Sequence, residues 1–320
     1  MTIHSLQAIG GDMTGPGLDR SASTPLSPAD EKRIARELSP RIAWPTLALA
    51  VALPLALGAV AWLGLARVAP LWACAVVLSF LSYACYTLVH ESIHGNLVPG
   101  HPKLRWVNDL VGWVGALGMG FNWPMLMRTH VLHHAHTNTD DDPDIWVKGG
   151  FGALLVKATV FNVFLATIPL FVVRIIAPAE HRQATSGLRG SEAVQADAVT
   201  VAVLLLLAVA IPTGHVLDWL SLLFIPTRVA GILLAVWFQW APHHPFDSTE
   251  RYLNTRISLW PGAGVLTLQQ NLHLVHHLWP SVPFYNYGAF YRRLHPTLVA
   301  KGSRIEGLLV GARSRDRSAA

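Results

Sequence analysis

Four apolar stretches constrain what this chain of 320 residues can fold into. Two of them, 42–66 and 69–89, are long enough at 1.5 Å per residue to cross a hydrocarbon core of about 30 Å. Two later stretches, 198–212 and 226–240, predict a second hairpin. Since 52% of the residues are hydrophobic and only 13% are charged, a soluble globular domain is excluded. We therefore expect an all-α polytopic membrane protein with four transmembrane helices in two hairpins.

The segments between these stretches predict orientation as well as structure. Segments 110–127 and 151–176 are apolar but contain polar and charged residues, which favours helices in or near the membrane interface. A helix start near Pro226 would keep Arg228 at an interface. Lysine and arginine collect on the cytoplasmic side of spans, and of the 24 in the chain only Arg67 and Arg228 fall on the opposite side. Both termini are therefore expected in the cytoplasm.

The polar ends of the chain suggest three regions. Residues 1–40 are rich in Gly, Pro, Ser and Thr, and we expect a mobile tail with one short helix, capped by Ser27 and ending near Glu37. Residues 41–305 then form one membrane domain, and 306–320 form a basic C-terminal tail.

Composition also excludes some partners and ligands. The net charge is +5, but the cations flank apolar stretches and are not interleaved with aromatic residues, so no nucleic-acid partner is expected. Cys74 and Cys85 both lie in one apolar stretch, which excludes a thiolate metal site. A bound metal would need nitrogen or oxygen ligands.

Histidine clustering is the main chemical signal. Eleven of the sixteen histidines fall into four groups: His90 and His94; His130, His133, His134 and His136; His243 and His244; His273, His276 and His277. On a helix, spacings of three and four residues place imidazoles on one face. Eight to ten such ligands at one membrane face exceed what a single tetrahedral ion can bind, so two metals are predicted.

Two other interpretations of the histidines have to be weighed. Residues 90–94 read His-Glu-Ser-Ile-His, the pattern of a zinc protease with Glu91 as general base, but one zinc would leave most of the clustered histidines without a role. A metal transporter would place a histidine pair inside a span, whereas these groups follow span ends. With two metals, Glu91 and the acidic run 140–144 are candidates to orient imidazoles; a solvated turn explains the acidic run equally well.

Three of the groups, at residues 90–94, 130–134 and 273–277, resemble the first, second and third histidine boxes of the membrane fatty acid desaturase superfamily, the non-haem di-iron enzymes. The resemblance covers roughly residues 42–305 and implies two transmembrane hairpins under a cytoplasmic, histidine-rich di-iron cap. It also implies one further histidine after the last span, a position matched by His243, with His244 as the alternative. The implied metal ligands are His90, His94, His130, His133, His134, His243, His273, His276 and His277.

Within that superfamily, residues 136–144 and 273–285 resemble the bacterial and cyanobacterial β-carotene hydroxylase branch. This implies an O2-dependent hydroxylase of the β-ionone ring of β-carotene in a bacterial inner membrane. Acyl-lipid desaturases share the boxes, so insertion of a double bond into an acyl chain is the alternative.

The chemistry of such a reaction fits the predicted architecture. Iron is favoured over zinc because breaking an unactivated C–H bond needs a redox metal, and ligands at the ends of apolar helices favour a lipid substrate. Since no cytochrome b5 motif is present, electrons are expected from a separate ferredoxin and its reductase. An acidic partner of this kind would suit a cationic cytoplasmic face.

Overall fold

The computed structural model describes residues 25–177 and 188–307; the rest of the predicted tails, 1–24 and 308–320, lies outside them. Over the described part, four helices are long and apolar enough to cross a membrane, or five spans if a sharply bent helix pair counts as one. The four helices form two hairpins: α2 (Trp44–Leu65) with α3 (Leu71–Ile93), and α8 (Gly190–Thr213) with α9 (Val216–His243). The predicted all-α polytopic membrane fold is confirmed.

Helix α3 is the central element of the membrane part. It contacts α2, α9 and a helix that follows it, α4 (Trp106–Gly118). Close packing on α4 depends on glycine, because a Cβ on Gly115 would lie 2.8 Å from the backbone oxygen of Cys85. The last two turns of α3 are buried in this contact, and they carry the first histidine group.

The predicted interfacial segment 110–127 is helical but broken in two. Helix α4 ends at Gly118 and α5 (Trp123–His136) begins after a bend of 103°. Gly120 has a φ of 71° in this bend, a conformation that glycine adopts without strain. The side chain of Asn122 then caps α5 by accepting a hydrogen bond from the Met125 amide at 2.8 Å. The bend directs α5, with the second histidine group, toward the end of α3.

The placement predicted for Arg228 is wrong, because α9 begins at Val216 and not near Pro226. Arg228 therefore lies about twelve residues, or roughly 18 Å, into the span. Its buried guanidinium donates hydrogen bonds to the carbonyl oxygens of Asn162 and Ala166 at 3.1 and 3.2 Å. A π-helical and 3₁₀ stretch, 160–167, follows α6 (Phe151–Thr159) and leaves these carbonyls free to accept. These carbonyl oxygens solvate the guanidinium in place of water, which is absent at this depth in a membrane.

A cap covers the histidine end of the spans. It contains α10 (His273–Leu278), α11 (Tyr287–Ala300) and two short parallel strands, β1 (Arg256–Ser258) and β2 (Arg304–Glu306), which the sequence did not predict. A short helix, α7 (Leu170–Ile176), lies between α6 and α8.

The N-terminal helix belongs to this cap. Helix α1 (Pro28–Leu38) starts at Ser27 and buries Ile34 against the cap. Glu31 is fully buried and accepts hydrogen bonds from the Tyr252 hydroxyl at 2.8 Å and the Trp279 indole at 3.1 Å. Trp279 directly follows α10, so α1 contacts the segment that carries the third histidine group.

Candidate metal centre

Nine histidines from four distant segments meet at one end of the spans, and they form two groups. Within each group, one ring nitrogen per residue lies within 4.8 Å of the others. Group A contains His90, His94, His130 and His276, and group B contains His133, His243, His273 and His277. His134 lies between the groups: its Nε2 atom is 2.8 Å from that of His276 in group A, and its ring centroid is 4.4 Å from that of His277 in group B.

Helix geometry explains how each segment contributes. His90 and His94 lie one turn apart at the end of α3, while α5 and α10 each present three imidazoles at helical spacing. The groups close only through tertiary contact: the Nε2 atoms of His90 and His276 are 3.0 Å apart although 186 residues separate them. The sequence predicted the members, and the fold divides them into two sets.

In group B, hydrogen bonds fix the outer nitrogen of three imidazoles. His133 Nδ1 lies 2.9 Å from the Asp142 carboxylate, and His273 Nδ1 lies 2.8 Å from Gln270 Oε1. His243 Nδ1 lies 3.1 Å from Asn138 Oδ1. Since these oxygens only accept, each Nδ1 carries the proton and each Nε2 presents a lone pair to the interior of the group.

The orientation of the Asn138 amide is itself determined by its contacts. Its Nδ2 donates to the backbone oxygens of Ser248 and Asn254 at 2.7 and 2.6 Å, which leaves Oδ1 facing His243. Its backbone N–H donates to Asp142 at 2.8 Å. Asn138 thus connects the end of α5, the partner of His133 and the segment after α9.

The facing nitrogens of group B are suited to a cation. Burial, together with the neighbouring imidazoles, lowers the pKa of His273 and His277 well below the ordinary imidazole value, so both rings are neutral. Their Nε2 atoms nevertheless lie 3.1 Å apart, and His243 Nε2 is buried without a hydrogen-bond partner. Since Gln270 and Asn138 hold the protons of His273 and His243 on Nδ1, the Nε2 atoms of these two rings present lone pairs to which a positive ion can bind. An all-nitrogen donor set of this kind fits iron, copper or zinc.

Group A has weaker outer contacts. The Tyr287 hydroxyl lies 3.0 Å from His276 Nδ1, and the Tyr86 hydroxyl lies 3.5 Å from His130 Nδ1. His90 Nδ1 is buried without a hydrogen-bond partner, and the nearest Glu91 oxygen is 3.7 Å away. Among the described residues, group A therefore has one good outer hydrogen bond, between His276 Nδ1 and the Tyr287 hydroxyl, and no carboxylate within hydrogen-bond distance.

Glu91 has a structural contact that does not suit a protease base. Its carboxylate is fully buried and accepts a hydrogen bond from the Phe284 amide at 3.2 Å. The Asn96 amide lies 3.5 Å from its other oxygen. A general base must reach a metal-bound water, whereas this carboxylate joins the end of α3 to the segment before α11.

The structure also distinguishes neighbouring candidates in the sequence. The ring of His243 lies 4.6 Å from that of His133, whereas the ring of His244 lies 4.5 Å from Trp240 and belongs to neither group. In the acidic run, Asp142 is fully buried, so a solvated turn does not describe it.

Sequence reasoning missed Gln270, Tyr287 and Tyr86. Gln270 lies three residues before His273, and this helical spacing is a signal that could have identified it. Tyr86 reaches His130 from 44 residues away and Tyr287 reaches His276 from the following helix, and the sequence gives no sign of either contact.

Known proteins of similar sequence are enzymes, as this histidine-rich site suggests. A β-carotene ketolase from Paracoccus sp. (strain PC1) is 28% identical over 233 residues, 70% of this chain and 81% of that protein. A second β-carotene ketolase, from Paracoccus sp. (strain N81106 / MBIC 01143), is 29% identical over 217 residues, 65% and 74% of the two chains. An sn-1 oleoyl-lipid 12-desaturase from Anabaena variabilis is 23% identical over 252 residues, 67% and 69%.

The family model for fatty acid desaturase matches residues 66–306, most of the chain, including every histidine of groups A and B. With relatives that act on carotene and on acyl lipids, the protein is a lipid-modifying oxidoreductase, and the protease and transporter interpretations are set aside. This chain belongs to the fatty acid desaturase family and is an enzyme of its membrane di-iron type.

Proposed function

We propose that groups A and B, together with His134, bind two iron ions and that the enzyme uses O2 to hydroxylate a β-ionone ring carbon of β-carotene. The observation that carries this proposal is the convergence of imidazole ring nitrogens from two histidine groups at the end of apolar spans. Bound iron would supply the redox chemistry that activation of O2 requires and that zinc lacks. His243, whose ring faces group B, is the ligand we propose after the last span.

The protein's own residues orient and shield this centre. Asp142, Asn138 and Gln270 hold protons on the outer nitrogens, so the inner nitrogens stay free to bind metal. Burial of His90, His273 and His276 keeps water from the inner side, which protects an oxidising centre from side reactions. Replacing a ring C–H by C–OH consumes one O2, two electrons and two protons, and releases one water.

The electrons would come from a separate ferredoxin-type donor. Exposed cations on the cap, including Lys32, Arg36 and Arg251, would attract an acidic protein. We place the protein in a bacterial inner membrane, and the distribution of lysine and arginine supports an orientation with its termini and site in the cytoplasm. Because Arg228 lies within a span, Arg67 is the one cation of the sequence analysis still assigned to the opposite face. Fusing a reporter to the loop after α2 and to the C-terminus would test this orientation.

The ketolase relatives raise the question of whether the product is an alcohol or a ketone. A ketone arises when one ring methylene is oxygenated twice and the resulting diol loses water, so hydroxylation is the first reaction of either enzyme. We assign the alcohol because residues 273–285 resemble the hydroxylase branch.

The test is expression in a bacterium that accumulates β-carotene. We expect a carotenoid that has gained oxygen without losing hydrogen, and purified protein with about two irons per chain. A product that has gained oxygen and lost two hydrogens would assign a ketolase. Unchanged carotenoid together with a new acyl double bond would contradict the proposal and favour a desaturase, as the Anabaena variabilis relative suggests.

A further inference from the structure

Three exposed cations, which we call the rim cations, lie where the cap meets the membrane spans: Arg41, Lys103 and Arg105. Arg41 lies three residues before α2, and the other two lie in the turn that leads into α4. The two segments are in contact, because the Gly100 amide donates a hydrogen bond to the Arg41 carbonyl oxygen at 3.3 Å. A Cβ on Gly100 would lie 3.0 Å from Arg41 Nε. The Arg41 guanidinium therefore lies against the segment that carries Lys103 and Arg105.

The rim cations lack the carboxylate partners that other cations near the surface have. On the cap, Arg293 and Arg304 form ion pairs with carboxylates at 2.9 and 2.7 Å. Over residues 25–177 and 188–307, no carboxylate lies within ion-pair distance of any rim cation. Asp109, one turn after Arg105 on α4, is exposed and pairs with none of them. Three positive charges at one site are thus available to an external anion.

The surface next to the rim cations is apolar. Trp44 and Trp106 are exposed in the first turns of α2 and α4, and Val51, Leu55 and Leu110 are exposed further along these two helices. Indoles at the ends of membrane helices lie at the level of lipid headgroups, and the aliphatic side chains beyond them face acyl chains. The order of cations, indoles and aliphatic side chains therefore matches the order of phosphate, glycerol and acyl chains in a phospholipid.

We propose that the rim cations bind the headgroup of an anionic phospholipid whose acyl chains lie along α2 and α4. Arginine and lysine bind phosphate oxygens by charge-assisted hydrogen bonds. A zwitterionic lipid offers the same phosphate but carries a cation of its own, which the rim cations repel, so the site selects lipids with net negative charge.

A lipid bound here would connect the starts of α2 and α4, which both pack on α3. It would thereby stabilise the end of α3 that carries His90 and His94. The proposal depends neither on the identity of the substrate nor on that of the metal.

The experiment counts the lipids bound to purified full-length protein by native mass spectrometry. The protein is mixed with equal amounts of phosphatidylglycerol and phosphatidylcholine that have the same acyl chains. The rim variant carries Arg41→Gln, Lys103→Gln and Arg105→Gln. The cap variant loses the same charge from exposed positions on α1 and α11, through Lys32→Gln, Arg36→Gln and Arg292→Gln.

We expect wild-type protein and the cap variant to prefer phosphatidylglycerol by about tenfold or more, and the rim variant by less than about threefold. A cation near an anionic lipid surface contributes a factor of about five, so the loss of three should be clearly measurable. In nanodiscs, wild-type protein should unfold at a higher temperature with phosphatidylglycerol than with phosphatidylcholine, and the rim variant should show no such difference.

An equal loss of preference in the two variants would overturn the proposal, since net charge and not this site would then attract the lipid. A wild-type protein without preference would overturn it as well. An unchanged lipid preference in the rim variant, with weaker binding of an acidic electron donor, would assign the rim cations to a protein partner instead. If the rim variant fails to fold, Lys103→Gln with Arg105→Gln leaves the contact of Arg41 with Gly100 intact and should still lower the preference by about tenfold.

Discussion

Groups A and B use the same kind of ligand but differ in what lies behind it. In group B, a carboxylate and two amides bond to the outer nitrogens of His133, His243 and His273. In group A, a single phenol makes a good hydrogen bond to His276, and His90 has no partner for Nδ1. A hydrogen-bonded carboxylate makes an imidazole a stronger donor and fixes its orientation. With the proposed metal ligands, this difference predicts that group B binds metal more tightly and that group A is the more adaptable half.

Removing one ligand should have the largest effect. We expect His243→Ala to reduce the iron content from about two to about one per chain and to abolish activity, because group B loses a donor that no neighbour replaces. Metal analysis of purified protein measures this. His90→Ala is the matched change in group A. Retention of both irons in His243→Ala would contradict the assignment of this histidine.

Weakening the partner of a ligand should have the next largest effect. Asp142→Asn keeps the shape but removes the charge behind His133, and we expect iron loss to a chelator to become about 10- to 100-fold faster for one of the two ions. The exposed neighbour Asp141 provides the control, as Asp141→Asn should release iron at the wild-type rate. Equal rates in the two variants would remove the basis of the comparison.

Removing the Tyr287 phenol of group A should accelerate iron loss less than removing the Asp142 charge does. Tyr287→Phe removes one neutral hydrogen bond to His276, worth about 1 kcal/mol, so we expect about fivefold faster loss of the other iron. Tyr291→Phe, on the same helix, is the control because its ring lies against His295 and not against a box histidine. A larger effect for Tyr287→Phe than for Asp142→Asn would reverse the proposed order of affinities.

The smallest effect is expected at the residue next to His243. His244→Ala should change iron content and turnover by less than about twofold, because its ring packs on Trp240 outside both groups. Iron loss in this variant, with none in His243→Ala, would exchange the two residues in the proposed ligand set.

The spans and the histidine groups could be predicted because both depend on local patterns, namely apolar length and helical spacing. The start of α9 could not be predicted from the sequence, because it depends on a charged residue that is distant in the chain. Asp218 lies in the first turn of that helix, and Arg67 from the other hairpin compensates it, with Nη2 and Oδ2 2.8 Å apart. Arg228 is likewise accommodated by carbonyls of another segment. A single sequence does not show which distant groups will neutralise a charge inside a membrane.

The same limit applies to the partners of the histidines. The sequence makes Asp142 a candidate because carboxylates near a histidine box are plausible partners of imidazoles. An exposed turn explains the acidic run equally well from sequence alone, and only the structure shows that the Asp142 side chain is buried. The Asn138 amide reaches His243 from 105 residues away, and two backbone carbonyls of the segment after α9 orient it. Such contacts depend on loop conformations that propensity does not specify.

Helix α1 sets a limit on how far this protein can be shortened. Its buried Glu31 accepts the indole N–H of Trp279, two residues beyond the last box histidine. A chain trimmed to begin at its first span would leave that indole and the Tyr252 hydroxyl without their acceptor and would uncover apolar side chains of the cap. We therefore expect α1, which contains no histidine, to help hold the third histidine box in place.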